Sequence, residues 1–545
     1  EWTNYLFHKA AASPDSGSQN GRVERTHTKD FYWQWDNMLK WNKTFGKHAF
    51  DFTFLANWEK FQRWHDEMTN ENFLPTDELG YGGIGFGTSP NVSSDDVYRT
   101  GDAFMGRLHY VYDQRYLITA TVRRDGYSAF GLANPRATFP AIALGWVFSE
   151  EKFLHRPDWF EYGKLRLSWG KNGNRAVGTY AAFMQLAPRK YIYVDPATGS
   201  LVTANTFYAS TMANPNLKWE STTSWNIGTD LTFLKGRLSA NLDVYKKITT
   251  DLLVSRELPS LIGYSSVMSN IGEVQNTGVE LSLNSTNIRM DKLTWRTSFS
   301  LAYNKNKITH LYGIMEDVKD ADGNVIGQRE ADDIKNKRFI GHDIDEIWDY
   351  KVVGIWQEEE REEAAKYGQQ PGYVHLLDKD MNYKYDNTDK EFQGTTMPRL
   401  RWSMRNDFTL FKNFNISFNM YSYIGHKKTF GRFTNDNALL NVTNQIKRDY
   451  WTPENRNNEY PRLANKKPAG VSYAIYKNAS FLRFDNISIG YTFPKKLIEP
   501  LRIQNLNVNA TMKNAGYISG WPGYDPENSD ANTPRVIYFG INLTL

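Results

Sequence analysis

The sequence predicts an all-β fold, a transmembrane antiparallel β-barrel, on three observations. Apolar residues recur at every second position, the links between such runs alternate short and long, and no stretch is apolar enough for a membrane helix. The chain has 545 residues and a mean hydropathy of −0.61, so the apolar rows are carried by an otherwise polar sequence. "GRLHYVYDQRYLITATVRRDG", Gly106 to Gly126, shows how. Tyr110 and Tyr112 point one way, and after a tight Asp113-Gln114-Arg115 turn Tyr116, Ile118, Ala120 and Val122 continue that face. His109, Thr119, Thr121 and Arg123 take the other, which makes a hairpin with one oily and one wet face.

The other elements follow the same rule. A first strand is expected at "EWTNYLFHK". Trp225, Ile227, Thr229, Leu231 and Phe233 form a row that turns through Leu234-Lys235-Gly236-Arg237 and returns as Leu238, Ala240, Leu242 and Val244. Trp402, Met404, Phe408 and Leu410 turn through Lys412-Asn413 to Phe414, Ile416, Phe418 and Met420. Ile487, Ile489, Tyr491 and Phe493 make one late row, Leu506, Val508, Ala510 and Met512 the next, and Phe539, Ile541, Leu543 and Leu545 the last. The count comes to about sixteen strands, each long enough to cross a bilayer.

The links are sorted by parity. Short ones are expected near 42–47, 113–115, 150–163, 234–237, 284–293, 411–413 and 494–504. Long ones are expected near 11–29, 61–102, 125–137, 173–218, 254–273, 309–397, 426–480 and 515–534. Outer-membrane barrels sort their links in this way, with short periplasmic turns and long extracellular loops. The inner rows, rich in Asn, Thr, Ser, Asp and Arg, suit a watery lumen. A soluble sandwich or solenoid would leave the outer rows as large apolar patches in water.

Composition removes several function classes. There is no cysteine, which excludes disulfide frameworks, Cys-ligated zinc, iron–sulfur clusters and thiol nucleophiles. The 65 basic and 61 acidic residues nearly balance, so there is no polycationic footprint for nucleic acid. The chain opens on Glu1-Trp2-Thr3, without Met or a signal sequence, and reads as a processed or truncated product.

Eight stretches occur in order: "GRLHYVYDQRYLITATVRRDGYSAF", "FPAIALGWVFSEEKFL", "KLRLSWGKNGN", "NPNLKWESTTSWNIGTDL", "NIGEVQNTGVELSLN", "YWTPENRNNEYPRL", "FLRFDNISIGYTFP" and "GYDPEN". From about Gly106 to Leu545 the chain thereby resembles the SusC/RagA family of TonB-dependent outer-membrane transporters. The resemblance implies a 22-stranded barrel in the outer membrane of a Gram-negative, Bacteroidetes-like bacterium, closed by an N-terminal plug with a TonB box. It also implies a SusD-like lipoprotein lid over the extracellular mouth, a pairing of two such transporter–lid units, and energised import of an oligosaccharide or peptide. Residues 1–545 would then be the C-terminal part of the barrel, with long extracellular loops near 61–102, 173–218, 309–397 and 426–480. The plug, the TonB box and the first few strands are absent from this chain, and the rest of the barrel is expected as another segment, because unpaired backbone in lipid costs several kcal/mol per group. A passive porin or adhesin, and a secreted carbohydrate-binding or hydrolytic β-protein, are the competing readings.

Candidate substrate contacts are aromatic residues placed on loops: Tyr81, Tyr127, Tyr180, Tyr264, Trp348, Trp356, Trp451, Trp521 and Tyr524. Such rings stack on sugar faces or hold peptide backbones, and they equally pack loops or anchor at interfaces. "DKDMNYKYDNTD" places Asp378, Asp380, Asn382, the Lys384 carbonyl and Asp389 at positions 1, 3, 5, 7 and 12 of a calcium loop of EF-hand type. Tyr383 stands where glycine eases the turn, and Asp389 is shorter than the usual Glu. Ca²⁺ is the one cofactor suggested, and none is required. "QEEEREEAAKYG" reads as a short exposed helix ending in glycine rather than a paired-carboxylate site. The ten His residues are scattered, and no Gly-x-Ser-x-Gly elbow is present, so nothing points to an enzyme. Arg123, Arg124 and Asp125 are expected to pair between strands or to line the lumen.

Overall fold

The computed structural model describes residues 2–8, 21–73, 80–264, 266–320, 322–430, 449–463, 465–528 and 531–545. Among the described residues sixteen strands form one sheet whose hydrogen-bonded order is the order of the chain. They are Trp2–His8, Arg22–Phe45, His48–Glu71, Asn91–Tyr112, Tyr116–Tyr127, Arg136–Trp146, Phe160–Asn174, Glu220–Phe233, Leu238–Thr250, Glu273–Met290, Leu293–His310, Leu400–Leu410, Phe414–Ile424, Phe481–Thr492, Asn505–Ser519 and Val536–Thr544. Among the described residues six two-stranded sheets occupy the longer links. Among the described residues no helix is long and apolar enough to cross a membrane.

The two-faced hairpin forms in the expected register. His109 lies opposite Thr119, Tyr110 opposite Ile118 and Tyr112 opposite Tyr116. Tyr116, Ile118, Ala120 and Val122 are exposed, while Leu117, Thr119, Thr121 and Arg123 are half-buried. The exposed row is lined with rings elsewhere too. On Arg22–Phe45, Trp35 and Leu39 are 63% and 64% exposed, and they lie opposite Trp58 and Phe54 of the next strand. Surface of that size and character is suited to acyl chains and not to water. Ring pairs also mark the short links, as in Trp295–Phe408 at 5.4 Å and Trp159–Phe233 at 6.0 Å, where interfacial aromatics are expected.

Several links differ from their expected bounds. Strands continue to Glu71 and restart at Asn91, so the loop near 61–102 contracts to 72–90. The extensions lack an apolar row but need none in water. Arg63 holds Asp30 in a fork, both bonds 2.7 Å, and the Thr28 hydroxyl lies 2.9 Å from His65 Nδ1. Length parity is also imperfect, since residues 128–135, placed among the long links, are fewer than residues 147–159, placed among the short ones.

Three of the short turns share one backbone device. Asp113 and Gln114, Leu234 and Lys235, and Phe411 and Lys412 are consecutive non-glycine residues with φ between 49° and 68°. Left-handed pairs match the twist of the strands they join, which is why the chain accepts the strain. Asp113 recovers part of it through Lys47 at 3.0 Å and Arg115 at 2.6 Å.

Contacts divide the chain into two compact units, residues 1–145 with 168–225 and 248–273, and residues 146–167 with 226–247 and 274–545. The first has a core of Tyr127, Phe130, Phe139, Leu217 and Trp219, in which Phe130 stacks on Trp219 at 4.7 Å. Gly131 permits it, because a Cβ there would come within 2.0 Å of the Pro215 carbonyl oxygen. The second has a core drawn from three separate long links: Tyr350, Val374 and Leu376 from the first, Phe430, Tyr473 and Ile475 from the second, and Trp521 from the third. The Tyr476 hydroxyl donates to buried Asp349 at 2.9 Å within the same block.

A buried clamp joins two of the sequence stretches quoted above. Arg483, from "FLRFDN", is 2% exposed, donates to Asp525 at 2.6 Å and forms an ion pair with Glu527 at 2.6 Å, both residues of "GYDPEN". Its guanidinium lies between the Phe481 and Tyr517 rings, 5.6 and 5.2 Å away. Burial works to raise the Asp525 pKa, but the Thr533 hydroxyl, the Glu527 amide and Arg483 together hold it below the usual value. The Asp525 contribution is therefore complete above about pH 4 and is lost as pH falls through the lowered pKa.

Asp525→Asn is expected to cost about 3 kcal/mol and to open residues 520–535 to protease at neutral pH. Limited proteolysis with mass spectrometry checks it. Lys412→Gly, which relieves a φ of 68°, is expected to stabilise the fold by about 1 kcal/mol. The temperature at which the protein loses its folded electrophoretic mobility should rise accordingly.

Candidate functional site

Because strands alternate, the wet row of one strand lines up with the wet row of the next, and the register of three strands builds a wall. Tyr32, Phe61 and Arg99 form one rung, Gln34, Glu59 and Gly101 the next, and Asp36, Asn57 and Ala103 a third. The wall bounds a cavity of about 750 Å³ that Arg123, Asp125, Lys171, Arg175 and Trp219 also line. Polar side chains run along it head to tail. The Tyr32 hydroxyl donates to Gln34 at 2.6 Å, the Gln34 amide to Asp36 at 2.7 Å, and the Asn57 amide to the other Asp36 oxygen at 2.6 Å. Gly101 lets Glu59 lie flat, since a Cβ there would come within 2.7 Å of its carboxylate.

Several charges on this wall are paired. Arg123 donates to Asp125 at 2.9 Å, Arg136 pairs with Asp102, and Arg175 reaches in from the start of a long link to hold Glu59. The second unit repeats the pattern on its own wet row, where Arg166 bridges Asp230 at 2.9 Å and Asp243 at 3.0 Å. A smaller cavity of about 460 Å³ in that unit is edged by Arg401, Asn419, Tyr421 and Tyr423. The two tyrosine rings lie 5.5 Å apart, and Arg401 sits over Tyr423 at 5.4 Å. Arg123 and Asp125 thus line a cavity as expected, whereas Arg124 shares the exposed face with Val122 and stands apart from both.

The aromatic residues singled out from sequence have several fates. Tyr127, Trp348, Trp356, Trp451 and Trp521 are all under 9% exposed, with their rings covered by loop neighbours. Trp356 lies on His375 at 3.4 Å, and burial pushes that imidazole toward its neutral form. The Trp451 indole donates to Gln357 at 3.0 Å. Tyr180, 37% exposed, accepts from the Tyr98 amide at 2.9 Å. Tyr264 and Tyr524 are half-buried, and the Tyr524 carbonyl accepts from the Tyr517 hydroxyl. The Tyr81 side chain lies outside the described residues. The structure does not gather these nine into one site. The wall residues Tyr32, Gln34, Asn57, Glu59, Arg175 and Trp219 carry no local sequence signal, because wet-row positions look like ordinary solvated positions until the register is known.

In the acidic loop, Asp378, Asp380 and Asp389 bring carboxylate oxygens within 4.8 Å of one another, and Asp389 is fully buried. Asp378 accepts from the Met381 and Tyr383 amides, each at 2.9 Å, and from the Tyr367 hydroxyl at 3.0 Å. Burial opposes these bonds, yet they hold its pKa below the usual carboxylate value. Asp380 is shifted up by desolvation and by Asp378 beside it. The Asn382 amide donates to Asp380 at 2.9 Å, its oxygen accepts from the Lys384 amide at 2.8 Å, and Tyr383 takes the left-handed turn itself at φ 63°. This donor set fits a hard divalent cation such as Ca²⁺, whose charge would relieve the repulsion on Asp380. Gln357–Gly368 forms the expected short helix, Arg361–Lys366, closed by Gly368 at φ 65°.

Comparison with known proteins agrees with this architecture. TonB-dependent receptor P3 of Formosa agariphila is 28% identical over 508 residues, covering 91% of this chain and 49% of that protein. TonB-dependent receptor SusC of Bacteroides thetaiotaomicron is 31% identical over 458 residues, covering 81% of this chain and 43% of that protein. The chain thus spans about half the length of these relatives, which are receptors rather than enzymes. The solved RagAB peptide transporter superposes with a TM-score of 0.78 at 20% identity, over 99% of this chain and 58% of that one, a likeness of fold. Residues 2–515 match the family described as TonB dependent receptor-like, beta-barrel, and the chain belongs to that family.

Proposed function

We propose that this chain is the barrel portion of an energised importer in the bacterial outer membrane, taking up an oligosaccharide with a SusD-like lipoprotein as its lid and TonB as its source of work. The observation that carries the substrate class is the pairing of charges along the wet rows of each unit. Arg123 with Asp125, Arg175 with Glu59 and Arg166 with Asp230 and Asp243 leave little net field for a highly charged ligand to follow. What the wall does offer is a run of planar amides, carboxylates and hydroxyls with aromatic rings among them, which suits a chain of hydroxyl groups with apolar ring faces. Peptide import is the competing reading, and the RagAB likeness supports it through fold alone.

Cells making the full-length receptor and its lid are expected to accumulate a labelled oligosaccharide, and to stop when the inner-membrane proton gradient is collapsed. Uptake that survives the collapse, or a constant open conductance in planar bilayers, would identify a passive pore instead.

A further inference from the structure

We propose that a second cavity at the wall, of about 320 Å³, is a carboxylate subsite built on Arg99, and that it receives an acidic sugar of the imported oligosaccharide. The proposal rests on the import reading above and adds a charge requirement to it. Tyr32, Phe61, Arg99, Tyr127, Asn174 and Arg175 line this cavity, together with Glu59. Two guanidinium groups face it, each laid over a ring: Arg99 over Phe61 at 4.2 Å and Arg175 over Tyr127 at 5.3 Å. Stacking fixes the plane of a guanidinium and leaves its N–H edge for an acceptor in that plane.

The two arginines differ in what meets that edge. Arg175 is engaged by Glu59, which also accepts from the Tyr32 hydroxyl at 3.3 Å. The Arg99 side chain has no ion pair and no hydrogen bond among the described residues. The nearby carboxylate that feels its charge, Asp30, is already held in a fork by Arg63 with both bonds at 2.7 Å. Asp125 is held by Arg123, and the Asn174 amide is turned to Glu220 at 3.1 Å. Arg99 and Arg175 against Glu59 leave one positive charge facing the cavity, on a planar fork that matches a single carboxylate in two parallel bonds. Where the arginines around it are neutralised, this one rests on a ring and is unspent.

A carboxylate can come from a uronic acid or from a peptide C-terminus, so the test carries both. Titration calorimetry on the detergent-solubilised protein would use a galacturonate trisaccharide against its methyl ester, and a tripeptide of neutral side chains against its C-terminal amide. The acidic trisaccharide is expected to bind about tenfold or more tightly than the ester. Arg99→Gln should abolish that preference, Arg99→Lys should restore part of it, and both variants should keep heat-modifiable migration. Equal affinities in the unmodified protein, or a preference that survives Arg99→Gln, overturn the subsite while binding of the ester upholds the oligosaccharide reading. An Arg99-dependent preference seen only between the peptide and its amide upholds the subsite and overturns that reading. Binding of none of the four overturns both.

Discussion

A backbone amide that crosses lipid has no water to bond, so every amide and carbonyl in the spanning segments must find its partner on a neighbouring strand. That requirement fixes the rest of this structure. It demands an uninterrupted antiparallel ladder, such as the one in which all twenty-four residues of Arg22–Phe45 are paired with His48–Glu71. It thereby imposes a side-chain period of two, and it commits alternate residues to two solvents that share nothing. Trp35 and Leu39 face one, and Gln34 and Asp36 on the same strand face the other.

Much of the fold could be read in the sequence because that period is local. Ile118 follows Tyr116 by two residues whatever the rest of the chain does, and the turn at Asp113 announces itself between two such runs. The extents of strands were harder, since His48–Glu71 keeps its pairing after its apolar row ends. Beyond the bilayer, water replaces lipid, and Arg63 with Asp30 or Thr28 with His65 can carry the ladder where no hydrophobic alternation marks it.

The site was less legible for a different reason. A loop tryptophan and a loop glutamate carry no sign of what covers them. Of the two roles open to a loop ring, Trp356 and Trp451 take the packing one and form the interior of the loops, while Glu59 and Arg99 are wall residues that nothing in the local sequence marks. The same holds for Arg483 and Asp525, which sit in two quoted stretches forty-two residues apart. Their ion pair is a tertiary fact, settled by which strand end the returning loop meets.

The shared core of three long links has a bearing on how recognition could diversify. Tyr350, Phe430 and Trp521 come from different links yet fill one another's cavities, so none of the three can drift in length or composition alone without leaving a hole. Relatives that acquire new ligands through this block must exchange it as a unit, and chimeras made by grafting a single excursion would inherit mismatched halves of an interior.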